Sequence, residues 1–200
     1  MSFRSIEQVP PAIILAAGAS SRLGQPKSFV DLGGITLIEW VVQRLRKQGF
    51  SVLIVGRQEH TERYTTLIPD ILIEENPVPE QGRMSSIQAG IQGLLNRNIS
   101  LEHGVLIVPI DRPGFPEGML SSLYASPSSA CVANPERRGH PVFITCQDIE
   151  LVQSAPPSLP LRECVTFTSF VVEAPFLSLH IDTEQDIEAL QLWYTIANKK

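Results

Sequence analysis

Little in this sequence points to a metal–sulfur centre, a membrane span or a nucleic-acid surface. Cysteine occurs three times, at Cys131, Cys146 and Cys164. The number is odd and the spacing fits neither a zinc site nor a redox pair. Isolated cysteines of this kind read as small apolar core residues of a protein in a reducing, cytoplasmic setting. No apolar run approaches the roughly 20 residues that a spanning helix needs. The opening MSFRSIEQVPP has no apolar centre of the kind a secretory signal carries. A soluble protein without a membrane role is therefore expected. Basic charge is also scarce: 16 Lys and Arg face 21 Asp and Glu, a net −5, and no basic cluster stands out. Nucleic acid is thus not an expected partner. Internal repeats and low-complexity tracts are missing, and His60 and His103 join no constellation. Neither common nucleotide loop occurs, G-x-G-x-x-G or G-x-x-x-x-G-K-[ST].

What is present is a chain of 200 residues, 43% hydrophobic and 18% charged, enough for one α/β domain over residues 1–200. Its most distinctive stretch is Ala12 to Lys27, AIILAAGASSRLGQPK. An apolar run passes straight into small residues, then into Arg22, Gly24 and Pro26-Lys27. A buried strand that empties into minimal side chains lets the backbone come close to a ligand. Backbone N–H groups there can face phosphate oxygens, with Arg22 and Lys27 adding positive charge.

Downstream, Ile35 to Gly49 reads as a helix with Leu37, Ile38, Val41, Val42 and Leu45 on one side and Gly49 as its stop. Ser51–Gly56 and Ile71–Glu74 read as strands around a short helix over 59–67. This βαβαβ alternation predicts a parallel sheet with right-handed crossovers. A helix is expected from Met84 to Asn96, with Ser85 and Ser86 as capping residues that could also present hydroxyls. The apolar strand Gly104–Asp111 leads into a turn and a helix over 117–124. Ala130–Thr145 suggests two strands around a polar turn at Asn134–Gly139, an antiparallel excursion over the site. Phe170–Ala174 and Leu177–Asp182 read as late strands before a helix starting near Thr183.

Leu15-Ala16-Ala17-Gly18-x-Ser20-x-Arg22-x-Gly24-x-Pro26-Lys27 resembles the signature of nucleotidyltransferases that load a nucleotide onto a phosphorylated small molecule. It is most similar to the molybdenum cofactor cytidylyltransferases, and more distantly to the guanylyltransferases and the methylerythritol-phosphate cytidylyltransferases. The resemblance implies a three-layer α/β/α fold with a mainly parallel central sheet, like the glycosyltransferase-A-like nucleotidyltransferases. It implies a Mg²⁺-dependent reaction of CTP with the phosphate of a molybdopterin-type acceptor, releasing pyrophosphate, and a possible molybdoenzyme partner. Transfer from GTP or onto another phosphorylated acceptor is an alternative. So is a non-catalytic carrier of the molybdenum cofactor.

In such a reaction the acceptor phosphate is already a nucleophile, so the protein supplies alignment and charge neutralisation. Asp111 ends an apolar strand, at the edge where open parallel sheets place ligands. In Pro109-Ile110-Asp111-Arg112-Pro113 it matches the metal-binding aspartate of the similar enzymes; it could equally open a turn. Asp182 is the second metal candidate by resemblance. It also suits an N-cap, with Gln185 reaching back in a capping box. There His180 stands where the similar enzymes have an acidic residue and Glu184 where they have proline; imidazole is a poor Mg²⁺ ligand. Lys27 and Arg22 are assigned to the triphosphate and, with Asp111, to catalysis. The resemblance places the nucleotide against Leu15, Ala16, Ala17 and Gly18, with Gly82 and Ser86 as base contacts. Arg137-Arg138-Gly139-His140-Pro141 resembles the turn that faces the acceptor in the cytidylyltransferases, which makes His140 an acceptor contact.

Overall fold

The computed structural model describes residues 9–135 and 137–197. Seven strands form one sheet in the order β3-β2-β1-β4-β6-β5-β7. In chain order they are β1 (Ala12–Leu15), β2 (Val52–Gly56), β3 (Leu72–Glu75), β4 (Val105–Pro109), β5 (Ala130–Ala133), β6 (Arg138–Ile144) and β7 (Thr168–Val171). The helices are α1 (Leu37–Lys47), α2 (Thr61–Leu67), α3 (Arg83–Asn96), α4 (Leu120–Tyr124), α5 (Cys146–Ser154), α6 (Leu161–Cys164) and α7 (Glu184–Ala197). Strand β1 pairs in parallel with β2 and β4, β2 with β3, and β5 with β7. Only β6 runs against its neighbours β4 and β5. The sheet is mainly parallel, as the βαβ alternation predicts.

Both faces of the sheet are covered, which is why its central strands are apolar throughout rather than alternating. Ala12, Ile14, Val52, Ile54, Leu106 and Val108 point into one core, shared with α1 and α7. Ile13, Leu15, Leu53, Val55, Val105 and Ile107 point into the other, shared with α3. That period of two gives the three layers. Helix α1 begins with a capping box, Thr36 and Glu39, and buries the apolar side expected of it. It ends where Gly49 takes a φ of +86°, a conformation that favours glycine. Helix α3 presses unusually close to the sheet: a Cβ on Gly90 would lie 2.7 Å from Ile13 and 2.8 Å from Val55. Among the described residues, no helix is long and apolar enough to cross a membrane.

Several elements differ from expectation. The 130–145 segment is not an excursion over the site: β6 hydrogen-bonds directly to β4 in the middle of the sheet. Its polar turn includes Glu136, and the opening residues 1–8 carry the signal-peptide argument; both lie outside the described residues. Leu177–Asp182 is not a strand. It crosses the carboxyl edge of the sheet past the end of β4, where Ile181 N–H bonds to the carbonyl of Asp111, so no ladder is left to join. Strand β7 starts two residues before the apolar run at Phe170. Helices α5 and α6 have no counterpart in the sequence reading, because α5 buries only Val152 and α6 buries nothing fully. Ser85 and Ser86 are not caps: Gly82 takes the N-cap position of α3, and the serines lie inside its first turn. Cys131 is buried, whereas Cys146 and Cys164, expected in the core, are half-buried at its margin.

Candidate active site

The carboxyl ends of β1 and β4 lie side by side, and the chain leaving each is tied to its neighbour. Ala16 N–H bonds to the Val55 carbonyl and Ile110 N–H to the Leu15 carbonyl. From there the small-residue loop runs over open space. Arg57 Nε supports it from behind by donating to the Ala17 carbonyl at 2.9 Å. The loop closes on itself where Lys27 N–H bonds to Ser20 Oγ, 3.1 Å away. Gly24, at φ +70°, makes the turn that brings Lys27 back.

This loop forms one wall of a cleft of about 380 Å³. Leu15, Ala16, Ala17, Gly18, Arg22 and Lys27 line it on one side, Gly82, Arg83 and Ser86 on another, and Asp111 and Asp182 at the end. The structure thus gathers almost every residue singled out from the sequence. His140 is the exception. It lines a neighbouring cavity, from which Arg83 reaches into the first.

The floor of the cleft is a charge cluster. Lys27 Nζ lies 2.6 Å from Asp182 Oδ1 and 3.8 Å from Asp111 Oδ2, with all three side chains about 15% exposed. Arg22, largely in solvent, reaches Asp182 at 2.8 Å, and Arg83 stands 3.8 Å from Asp111. Burial by itself would raise the Asp182 pKa. The Lys27 hydrogen bond and charge, with His180 and Arg22, outweigh this and hold it below the usual carboxylate range.

Asp182 does not serve as the helix cap. Asp186 takes that work: its Oδ2 accepts from Asp182 N–H, Thr183 N–H and Thr183 Oγ. Gln185 is not the partner the capping-box pattern suggests. The carboxylate of Asp182 is released to face the cleft, and Asp186 itself is held ionised by those donors despite its partial burial. Asp111 likewise points its carboxylate across to His180 and Lys27.

Two residues of this cluster went unassigned in the sequence. His180 bridges the carboxylates, Nε2 at 2.9 Å from Asp111 and Nδ1 at 3.3 Å from Asp182. Arg83 opens α3, where the helix dipole favours acidic residues; a basic residue there is the signal that could have found it. The serines also act differently than expected. Asn76, buried in the loop before α3, donates to both Ser85 Oγ and Ser86 Oγ at 2.9 Å. Ser85 passes its proton to the Gly82 and Val78 carbonyls. Ser86 Oγ accepts from Asn76 and lines the cleft.

Small residues on one strand end, a helix start and opposed charges around one cleft define an α/β domain with its cleft at the carboxyl edge of the sheet, the edge where such sheets place ligands. Residues 12–164 match the family described as the MobA-like NTP transferase domain, and the chain belongs to that family. A molybdenum cofactor guanylyltransferase of Rhizobium meliloti is 31% identical over 141 residues, 67% of this chain and 62% of the relative. The match therefore spans about three fifths of that protein's length. Among solved structures, Rv0371c from Mycobacterium tuberculosis H37Rv superposes with a TM-score of 0.74 at 16% identity, covering 92% of this chain and 99% of that one. The same protein in complex with manganese gives 0.70 at 15% identity, covering 91% and 97%. These likenesses establish the fold.

Proposed function

We propose that the chain transfers the guanylyl group of GTP to the phosphate of a molybdopterin-type acceptor and releases pyrophosphate. The observation that carries this reading is the convergence of the Leu15–Lys27 loop, the start of α3 and the Asp111–Asp182 pair on one cleft. The resemblance at Arg137–Pro141 favours CTP, but the curated relative is named for guanylyl transfer, and we take GTP as the donor.

The residues present suit a divalent ion. Asp111 and Asp182 offer hard oxygen donors directed at the same ammonium, and two carboxylates suffice for an ion that keeps several waters. Asp111 and Asp182 would hold this ion, Mg²⁺ or Mn²⁺, which when bound neutralises phosphate charge.

The rest falls to the chain. Loop atoms from Leu15 to Gly18 receive the nucleotide at close range, with Gly82 and the Ser86 hydroxyl beside the base. Lys27 and Arg22 bind the triphosphate, Arg22 through its planar fork. An oxygen of the acceptor phosphate attacks the α-phosphorus, a new phosphoanhydride bond forms, and the bond to the β-phosphate oxygen breaks. Lys27 and Arg22 stabilise the charge that the leaving pyrophosphate gathers.

The test is pyrophosphate release from the purified protein with Mg²⁺ or Mn²⁺, molybdopterin and each nucleoside triphosphate in turn. Release that requires both GTP and molybdopterin is expected. Release with CTP in place of GTP would overturn the choice of base. Nucleotide binding without release under any combination would overturn the enzyme reading in favour of a carrier.

A further inference from the structure

Ser28 is only 2% exposed, yet it follows directly on Lys27 and lines the cleft. It is the middle residue of the single 3₁₀ turn Lys27–Phe29. Helix α2 grips that turn. Tyr64 of α2 sets its ring 5.2 Å from that of Phe29, and the Arg63 guanidinium lies 3.9 Å over the Phe29 ring. Gly56 of β2 leaves the tyrosine its room, since a Cβ there would lie 2.7 Å from Tyr64 Cε2. The phenol is fully buried, and its oxygen stands 3.0 Å from Ser28 Oγ.

Two apolar groups of the same shape would hold this contact about as well as two hydroxyls, so stability alone does not account for the pair. The direction of the bond says more. Burial pushes the Tyr64 pKa above its ordinary value, against the Ser28 bond and the charge of Arg63, so the phenol stays protonated. Its one proton needs an acceptor, and among the described residues Ser28 Oγ is the hydrogen-bond partner of Tyr64. With Tyr64 donating, the serine oxygen is the acceptor, and its own proton is left to point elsewhere. The open space beside Ser28 is the cleft that it shares with Lys27.

We propose that Ser28 is a further phosphate-binding residue: its hydroxyl donates to a phosphate oxygen that Lys27 neutralises, and Tyr64 is the positioning residue that aims it. The inference rests on the reading of the cleft as a triphosphate site, and adds a neutral donor to Lys27 and Arg22. The three groups divide the work by their chemistry. Both cations pair with Asp182, so their charge has to leave a carboxylate before it serves a phosphate. Among the described residues no carboxylate competes for the serine proton. A hydroxyl also reads its acceptor by direction, where an ammonium acts as a point charge, and it is indifferent to the base.

The test uses the full chain and inorganic tripolyphosphate, which carries the phosphate chain without base or ribose. It is titrated calorimetrically into wild type, Ser28→Ala, Tyr64→Phe and the double variant, with urea midpoints measured beside it. Ser28→Ala should weaken binding about tenfold, as for a lost hydrogen bond to a charged group. Its midpoint should also drop, because the buried phenol has lost its acceptor. Tyr64→Phe leaves the serine its proton and should weaken binding at most about threefold, the factor for a hydroxyl freed among three staggered orientations. In the double variant no phenol is left unmet, so the midpoint should recover from that of Ser28→Ala while affinity stays about tenfold down. Affinity and stability then part company, which a merely structural pair would not allow. Undiminished binding by Ser28→Ala, or an equal loss in Tyr64→Phe, would overturn the contact. So would affinity that recovers with the midpoint in the double variant. Absence of tripolyphosphate binding by wild type would overturn the contact and the triphosphate site together. Failure of the transfer reading alone looks different: no nucleotide would release pyrophosphate, while tripolyphosphate would still bind and Ser28→Ala would still weaken it.

Discussion

Lys27 and Asp182 are 155 residues apart in the chain and 2.6 Å apart in space. Lys27, proposed to bind the triphosphate, and Asp182, proposed to hold the metal, neutralise each other, and Arg22 joins the same carboxylate. Under the proposed function, substrate binding exchanges partners: phosphate for Lys27 and Arg22, metal for Asp182. Asp182→Asn removes one side of this exchange. In EDTA, the variant should bind GTP several-fold more tightly than wild type, because both cations are released from a buried counter-charge. Its turnover with metal should nevertheless fall by about 100-fold or more, as for loss of a transition-state contact. Calorimetric titration with and without metal, beside steady-state pyrophosphate release, checks both. Weaker metal-free binding would contradict the exchange.

The mounting of the second carboxylate depends on Gly114. A Cβ there would sit 1.8 Å from the Phe176 carbonyl oxygen, and on either side of it Arg44 binds the carbonyls of Pro113 and Phe115. Phe176 in turn stacks on Trp193 of α7 at 4.7 Å. The loop after Asp111 and the segment leading to His180 and Asp182 are therefore one packed unit. Gly114→Ala must push them apart, with a cost of about 1–3 kcal/mol by analogy with overpacked cores. Denaturant midpoints should show that loss, and kcat should fall with it because Asp182 moves relative to Asp111. Gly118→Ala, where an added Cβ meets nothing within 4 Å, is the control and should alter neither.

The fold was legible because its strands are consistent at every level. Central strands read as unbroken apolar runs, and α1 carries its cap, its apolar side and its glycine stop. The failures are where that consistency ends. Helix α5 gives almost no periodic signal because it buries one residue. Leu177–Asp182 looks like a strand by composition, yet its place was decided by the end of β4. The site was legible as a set of residue types: small loop, two cations, Asp111. Its wiring was not. Local sequence suggests that Asp182 caps α7, and only the structure shows Asp186 doing so. Likewise nothing in the sequence says that Asn76, not a helix end, organises Ser85 and Ser86.

His140 gives stability a definite pH dependence. Its folded pKa of about 4 lies below the ordinary histidine value of 6.5. Between these values the unfolded chain binds the proton that the folded one refuses, so stability rises with pH across that window. The effect is complete above the upper value and lost progressively below it, reaching about 3 kcal/mol once pH falls to the folded pKa. His140→Gln should flatten the difference between urea midpoints measured at about pH 5 and about pH 7.5. An unchanged pH slope in the variant would mean that other groups, not this imidazole, carry it.

Asn76 offers a test of which way the Ser86 hydroxyl points. The amide donates to Ser85 and Ser86 and accepts from Val78 N–H at 3.0 Å. Two substitutions break this differently. Asn76→Ala removes the amide and costs stability, on the order of 1–3 kcal/mol for buried partners left unmade, but leaves Ser86 able to turn its proton to the cleft. Asn76→Asp keeps the shape and the Val78 bond. Its carboxylate can only accept, so it draws the serine protons inward and away from the nucleotide, while bringing a negative charge toward the phosphates. Nucleotide affinity should therefore fall further in Asn76→Asp than in Asn76→Ala, even though alanine is the larger structural loss. Titrating both variants with GTP in the presence of Mg²⁺, alongside their unfolding midpoints, separates the two effects. If affinity merely follows stability, Asn76 is a packing residue; if the order is reversed, the direction of one proton at Ser86 is part of how the cleft reads its ligand.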